Sequence, residues 1–131
     1  MRVAVIGSRE YADYQMVSYY LNRLNDRKKI TLVVSGGAAG ADSLGERWAD
    51  ENGVRKLIFE AKWDDLTHPD ARIKINSRGN KYDANAGFRR NRDIIDNCDV
   101  AIAFHVGDSP GTANSIAYAR KIKKPIFVYS C

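Results

Sequence analysis

The chain has 131 residues, enough for one hydrophobic core and not for two, so a single domain over residues 1–131 is expected. Its 21 Lys and Arg against 16 Asp and Glu leave a net charge of +5, which favours an anionic partner, although the cations are dispersed rather than gathered in a block. No apolar stretch reaches membrane-spanning length and no signal-peptide layout precedes the first apolar run, which excludes a membrane role and sets a cytoplasmic location as the expectation.

Arg2 to Ile6 is a continuous apolar run, as expected of a parallel strand covered on both faces, and it ends in Gly7-Ser8-Arg9-Glu10. Tyr14 to Lys28 reads as a helix with Val17, Tyr20, Leu21 and Leu24 on one face. A second strand, Ile30 to Val34, runs into Ser35-Gly36-Gly37-Ala38-Ala39-Gly40-Ala41-Asp42, and a helix opening near Gly40 turns Leu44 and Trp48 inward before Gly53 ends it. Val54 to Phe59 is the third strand. From Glu60 to Asn85 no clean period exists, and Pro69 and Gly79 among scattered polar residues predict a long excursion, a lid or binding loop. A helix over Ala86 to Asn97, a strand over Val100 to Phe104, a helix over Thr112 to Ile122 and a strand over Pro125 to Tyr129 complete the pattern. Cys98 and Cys131 lack metal or redox spacing and are expected to be reduced, non-catalytic thiols.

Strands alternating with helices predict an α/β fold: a Rossmann-like, doubly wound parallel sheet of five strands in the order 3-2-1-4-5, with helices on both faces. Ligands of such sheets lie beyond the carboxyl ends of the strands, near the switch in strand order. Glycines, hydroxyls and arginine collect there: Gly7-Ser8-Arg9 after the first strand, Ser35-Gly36-Gly37 after the second, and His105 to Thr112 after the fourth.

A strand running through a glycine-rich turn into a helix suits phosphate, because backbone N–H groups can converge on one anion at the positive end of the helix. The same residues also suit a tight structural turn, and they match neither the P-loop nor the dinucleotide fingerprint. Arg9 could clamp a phosphate or pair with Glu10 or Asp13, and Thr112 could bind an oxygen or cap the last helix. Asp42 is expected to cap the second helix. Arg89, Arg90 and Arg92 share one helical turn and so point in different directions, leaving one or two of them for a ligand. Trp63 could stack on a base or cover the core, His105 could contact a ligand, and neither His68 nor His105 has partners at metal-ligand spacing, so no metal and no cofactor is assigned.

The stretches Gly7-Ser8-Arg9, Val34 to Ala38 with Gly40-Ala41-Asp42, Ala86-Gly87 with Arg90-Asn91, and Ala103-Phe104 with Gly107, Ser109 and Gly111-Thr112 resemble, in order and spacing, the YspA-type, YpsA-related branch of the SLOG superfamily. That superfamily includes the DNA-processing protein DprA and the lonely guy phosphoribohydrolases. The resemblance implies a nucleotide pocket made by Gly7, Ser8, Arg9, Ser35, Gly36, Gly37, Ala38, Gly40, Ala41, Asp42, Arg90, Asn91, Phe104, Gly107, Gly111 and Thr112. In lonely guy enzymes a glutamate stands three residues beyond the glycine-threonine pair; here Ser115 does. A serine cannot supply that carboxylate, and Glu10, Glu60 and Asp108 are the acidic residues near other strand ends.

The leading expectation is therefore binding or sensing of a nucleotide or nucleotide-derived ligand, with no catalytic residue assigned. The first alternative is a nucleoside 5′-monophosphate N-glycosidase or related transferase. The second is single-stranded nucleic-acid binding, carried by net charge, Arg89 to Arg92, and Lys74, Arg78 and Lys81. Oligomeric state, including a homo-oligomer, is left open.

Overall fold

Alternation along the strands organises the molecule. The computed structural model describes residues 1–107 and 109–130, so the expectations for Asp108 and Cys131 lie outside the described residues. The elements are β1 (Arg2–Gly7), α1 (Tyr14–Arg27), β2 (Leu32–Ser35), α2 (Ala41–Glu51), β3 (Arg55–Ile58), β4 (Ile73–Ile75), β5 (Lys81–Asp83), α3 (Ala86–Asp96), β6 (Val100–His105), α4 (Pro110–Lys121) and β7 (Ile126–Ser130). Five of the strands form one parallel sheet in the order β3-β2-β1-β6-β7, the expected 3-2-1-4-5 once the two strands of a separate hairpin are set aside.

Val3, Val5, Val33, Ile102 and Phe104 project to one face and meet Val17 and Leu21 of α1 and Trp48 and Ala49 of α2. Their chain neighbours Ala4, Ile6, Val34, Ala101 and Ala103 project to the other and meet Ile94 and Ile95 of α3 and Ile116 and Ala119 of α4. The central strands thus need apolar side chains at nearly every position, which is why β1 and β6 read as apolar runs. Burial of each large side chain contributes about 1.5–3 kcal/mol, so these two layers, rather than any loop contact, hold the sheet in register. Trp48, fully buried, keeps its polar atom satisfied by donating from Nε1 to Asn22 Oδ1 at 2.9 Å. Asp13 caps α1, its Oδ1 accepting from the Met16 amide at 3.2 Å.

The excursion from 60 to 85 is not irregular throughout. It carries an antiparallel hairpin in which Ile73 faces Asp83 and Ile75 faces Lys81. Strands of three residues, one of them wholly exposed and the other burying a carboxylate rather than an apolar side chain, leave no apolar period to read. The strand expected from Ile30 starts at Leu32, because the Ile30 amide donates to Asn25 Oδ1 at 2.8 Å instead of joining the ladder. The last helix starts at Pro110 rather than Thr112, with proline in the first turn, where its missing N–H costs nothing. Among the described residues no helix is long and apolar enough to cross a membrane.

Candidate functional site

From β1 the chain crosses through α1 to one side of the sheet, and from β6 it crosses through α4 to the other, so the loops after these two neighbouring strands diverge. Above the divergence lies a cleft of about 670 Å³. The loop after β1 supplies Gly7, Ser8, Arg9 and Glu10, and the loop entering α4 supplies Val106, Gly107 and Ser109 to Thr112. Asp42, Arg90 and Asn91 form its floor and side, and Trp63, Ala84, Gly87 and Phe88 close it on the flank of α3.

Ser8 joins three of these segments. Its amide donates to the Phe104 carbonyl at 3.1 Å, its Oγ accepts from the Val106 amide at 2.9 Å, and its carbonyl accepts from the Ala41 amide at 3.3 Å. The hydroxyl therefore fixes the width of the cleft between β1 and β6. Gly40 makes the crossing of the two loops feasible: its φ is +77°, and a Cβ there would stand 2.3 Å from the Ser8 carbonyl oxygen and 2.5 Å from that of Arg9.

The glycine-rich turn has its own anion. Asp42 Oδ2 accepts from the Gly36 amide at 3.1 Å, and the Ala38 amide also donates to this carboxylate, while the Gly37 amide donates to Ser35 Oγ at 3.3 Å. Ser35 Oγ in turn donates to Glu46 Oε2 at 2.8 Å. Asp42 does not cap α2, whose cap residue is Gly40 without a side-chain hydrogen bond. Its first-turn position aims it back across the turn rather than at the helix start. Burial raises its pKa to about 6, against the opposing pull of Arg90 and of the two amides.

Arg90 closes the same arrangement. Its Nη1 donates to the Gly36 carbonyl at 2.7 Å and its Nε to Asn91 Oδ1 at 3.2 Å, and Asn91 Nδ2 donates to the Gly111 carbonyl at 3.3 Å at the start of α4. Burial lowers the Arg90 pKa, Asp42 raises it, and the positive charge of Arg9 lowers it again. Arg9 is exposed, and among the described residues no ion pair joins it to Glu10 or Asp13. Two guanidiniums thus line one cleft.

Of the residues named from sequence, Gly7, Ser8, Arg9, Ala38, Asp42, Arg90, Asn91, Gly107, Gly111 and Thr112 line the cleft. Ser35, Gly36, Gly37, Gly40, Ala41 and Phe104 stand outside its lining, as supports of the wall; Phe104 is fully buried and stacks on Tyr11 at 4.9 Å between ring centres. Thr112 and Ser109 hydroxyls are paired at 3.3 Å, and Ser115, buried on the cleft wall, donates to the Gly111 carbonyl at 3.3 Å. Glu10 lines the cleft, whereas Glu60, His68 and His105 do not. Arg89 turns away from it to pair with Asp70 and Asp83, and Arg92 does not line it. Phe88 was not singled out from sequence; its signal was an aromatic lying off the buried stripe of Ala86, Asn91, Ile94 and Ile95 on α3.

Residues 1–65 match the model of the YspA, cpYpsA-related SLOG family. Over 127 residues the chain is 33% identical to the Gene 61 protein of Mycobacterium phage D29, covering 95% of this chain and 93% of that one. Among solved structures it resembles DNA processing protein A from Helicobacter pylori, described for its single-stranded DNA binding mode, with TM-score 0.68 and 22% identity over 98% of this chain. It also resembles DNA processing protein A from Streptococcus pneumoniae, with TM-score 0.55 and 18% identity over 96% of this chain. The chain spans 64% and 58% of those two structures respectively, and at such identities the likeness is one of fold.

Proposed function

The chain belongs to the YspA, cpYpsA-related SLOG family, and from that premise we propose that its cleft binds a nucleotide or nucleotide-derived ligand. The observation that carries this reading is that Arg9 and Arg90 line the same cleft. The positive charge of Arg9 disfavours that of Arg90, and the nearby carboxylate, Asp42, is already engaged by the Gly36 and Ala38 amides. An anion between the two guanidiniums relieves that repulsion and accepts charge-assisted hydrogen bonds from both. The first turn of α4, opening on the same cleft with Gly111 and Thr112, adds its positive end.

The phosphate seat in this reading differs from the one the glycine-rich turn suggested. The turn shapes the wall and positions Arg90, and the ligand's charge meets Arg9, Arg90 and α4. Equilibrium dialysis against a panel of nucleoside mono-, di- and triphosphates tests the proposal: saturable retention of at least one is expected, and retention of none removes it.

Single-stranded DNA is the second reading, favoured by the fold likeness to the Helicobacter pylori protein and by the cations of the hairpin region, Lys74, Arg78 and Lys81, all exposed. A gel-shift complex that weakens steeply with salt supports it, and the absence of any complex at low salt removes it.

A further inference from the structure

The cleft has two unlike flanks. Opposite in character to Arg9 and Arg90 are Trp63 and Phe88, two large aromatic side chains that line the same cleft and remain 37% and 39% exposed. Trp63 belongs to neither core layer, so it does not serve to cover the sheet. It is nevertheless held in place. Its carbonyl accepts from the Asp83 amide at 2.8 Å, Tyr82 meets its ring edge to face at 6.3 Å between ring centres, and its ring lies directly against the backbone of α3 at Gly87. A Cβ on Gly87 would stand 2.7 Å from Trp63 Cη2, so the absence of a side chain there is what lets the indole settle. An exposed, oriented indole beside a cationic wall suits a ligand that is planar and aromatic at one end and anionic at the other.

We propose that Trp63 and Phe88 form the seat of the base of the bound nucleotide, with Trp63 as the residue that makes the cleft select nucleotides over base-free sugar phosphates. This rests on the nucleotide reading above. The shared chemistry, a heteroaromatic base carrying a 5′-phosphate, occurs both in free nucleotides and at the end of a DNA strand.

The test is a fluorescence and calorimetric titration of the full chain with nucleoside 5′-monophosphates, with ribose 5-phosphate, and with a short 5′-phosphorylated single-stranded oligonucleotide. Trp48 is fully buried, so a ligand-dependent change in emission reports Trp63, and a Trp48→Phe variant retains it. Wild type is expected to bind a nucleoside monophosphate about tenfold or more tightly than ribose 5-phosphate, the scale of one stacked base, with a change in Trp63 emission. Trp63→Leu brings the nucleotide down to the affinity of ribose 5-phosphate and leaves the latter unchanged; Trp63→Phe restores part of the difference, and Gly87→Ala weakens the nucleotide alone. A larger emission change with the oligonucleotide than with any monophosphate assigns the seat to a strand end, and the reverse assigns it to a free nucleotide. Equal affinity of wild type for nucleotide and ribose 5-phosphate, or equal weakening of both by Trp63→Leu, overturns the base seat while the phosphate reading stands. Binding of none of the probes overturns the base seat, and no retention of any di- or triphosphate in dialysis as well overturns the nucleotide reading with it.

Discussion

The amide of Gly36 donates to the carboxylate of Asp42 at 3.1 Å, so a turn whose glycines suggest a phosphate site closes on a carboxylate of its own chain. A second anion in that spot would be repelled. In the proposed reading the ligand's charge meets Arg9, Arg90 and the start of α4 instead, and the turn serves to position Arg90, whose Nη1 donates to the Gly36 carbonyl.

Asp42 is raised by burial to about 6, above its ordinary carboxylate value, so between these two pH values the folded chain binds more proton than the unfolded one. Its contribution to stability is present at low pH and is lost as pH rises through about 6, by an amount on the order of 3 kcal/mol. Asp42→Asn does not titrate. Urea unfolding of wild type and Asp42→Asn from pH 4.5 to 8 is expected to show the wild type losing ground to the variant as pH rises, and parallel curves contradict it.

Asp83 behaves oppositely. Burial acts to raise its pKa, but hydrogen bonds from Arg89 and from the Arg72 and Asn85 amides, both at 2.9 Å, prevail and bring it to about 2. The folded carboxyl binds proton less readily than the unfolded one, so this contribution is present above the ordinary carboxylate pKa and lost as pH falls through about 2. Because Arg89 also pairs with Asp70, the network ties the hairpin to the start of α3. Asp83→Asn is expected to raise amide exchange across residues 72–85 well above wild type while β1 and β6 stay protected, as hydrogen exchange read by mass spectrometry will show.

Gly40→Ala forces a side chain into a φ of +77° and within 2.3 Å of the Ser8 carbonyl oxygen. Backbone strain alone costs about 1–3 kcal/mol, and the overlap with a backbone atom adds to it, so a loss of roughly 3 kcal/mol or more is expected in denaturant unfolding. A loss under about 1 kcal/mol contradicts this crossing of the two loops.

The sheet was legible because every strand of its centre is buried on both faces: Val3 and Ala4, chain neighbours, both need to be apolar, and the run from Arg2 to Ile6 says so directly. Strand order followed from the alternation of strands and helices. The site was legible as a set of loops but not as a division of labour. Spacing cannot tell whether Asp42 turns toward the helix start or back toward Gly36, since both lie within reach of one side chain. Nor does it separate Arg90, on the cleft, from Arg89, held by Asp70 and Asp83, because those acids come from the excursion before α3, whose three-residue strands are too short to carry a period. Phe88 escaped notice because an exposed aromatic on a helix has meaning only once the cleft beside it is known.

The central claim is that Arg9, set against Arg90 on the cleft wall, receives the phosphate of a nucleotide. Isothermal titration calorimetry of wild type and Arg9→Ala with the tightest nucleotide of the panel tests it directly, since Arg9 is exposed and its removal leaves the core layers intact. The expected result is saturable binding by wild type and a loss of about tenfold or more in Arg9→Ala, the scale of one charge-assisted hydrogen-bonding group. Equal affinity in the two proteins would contradict it.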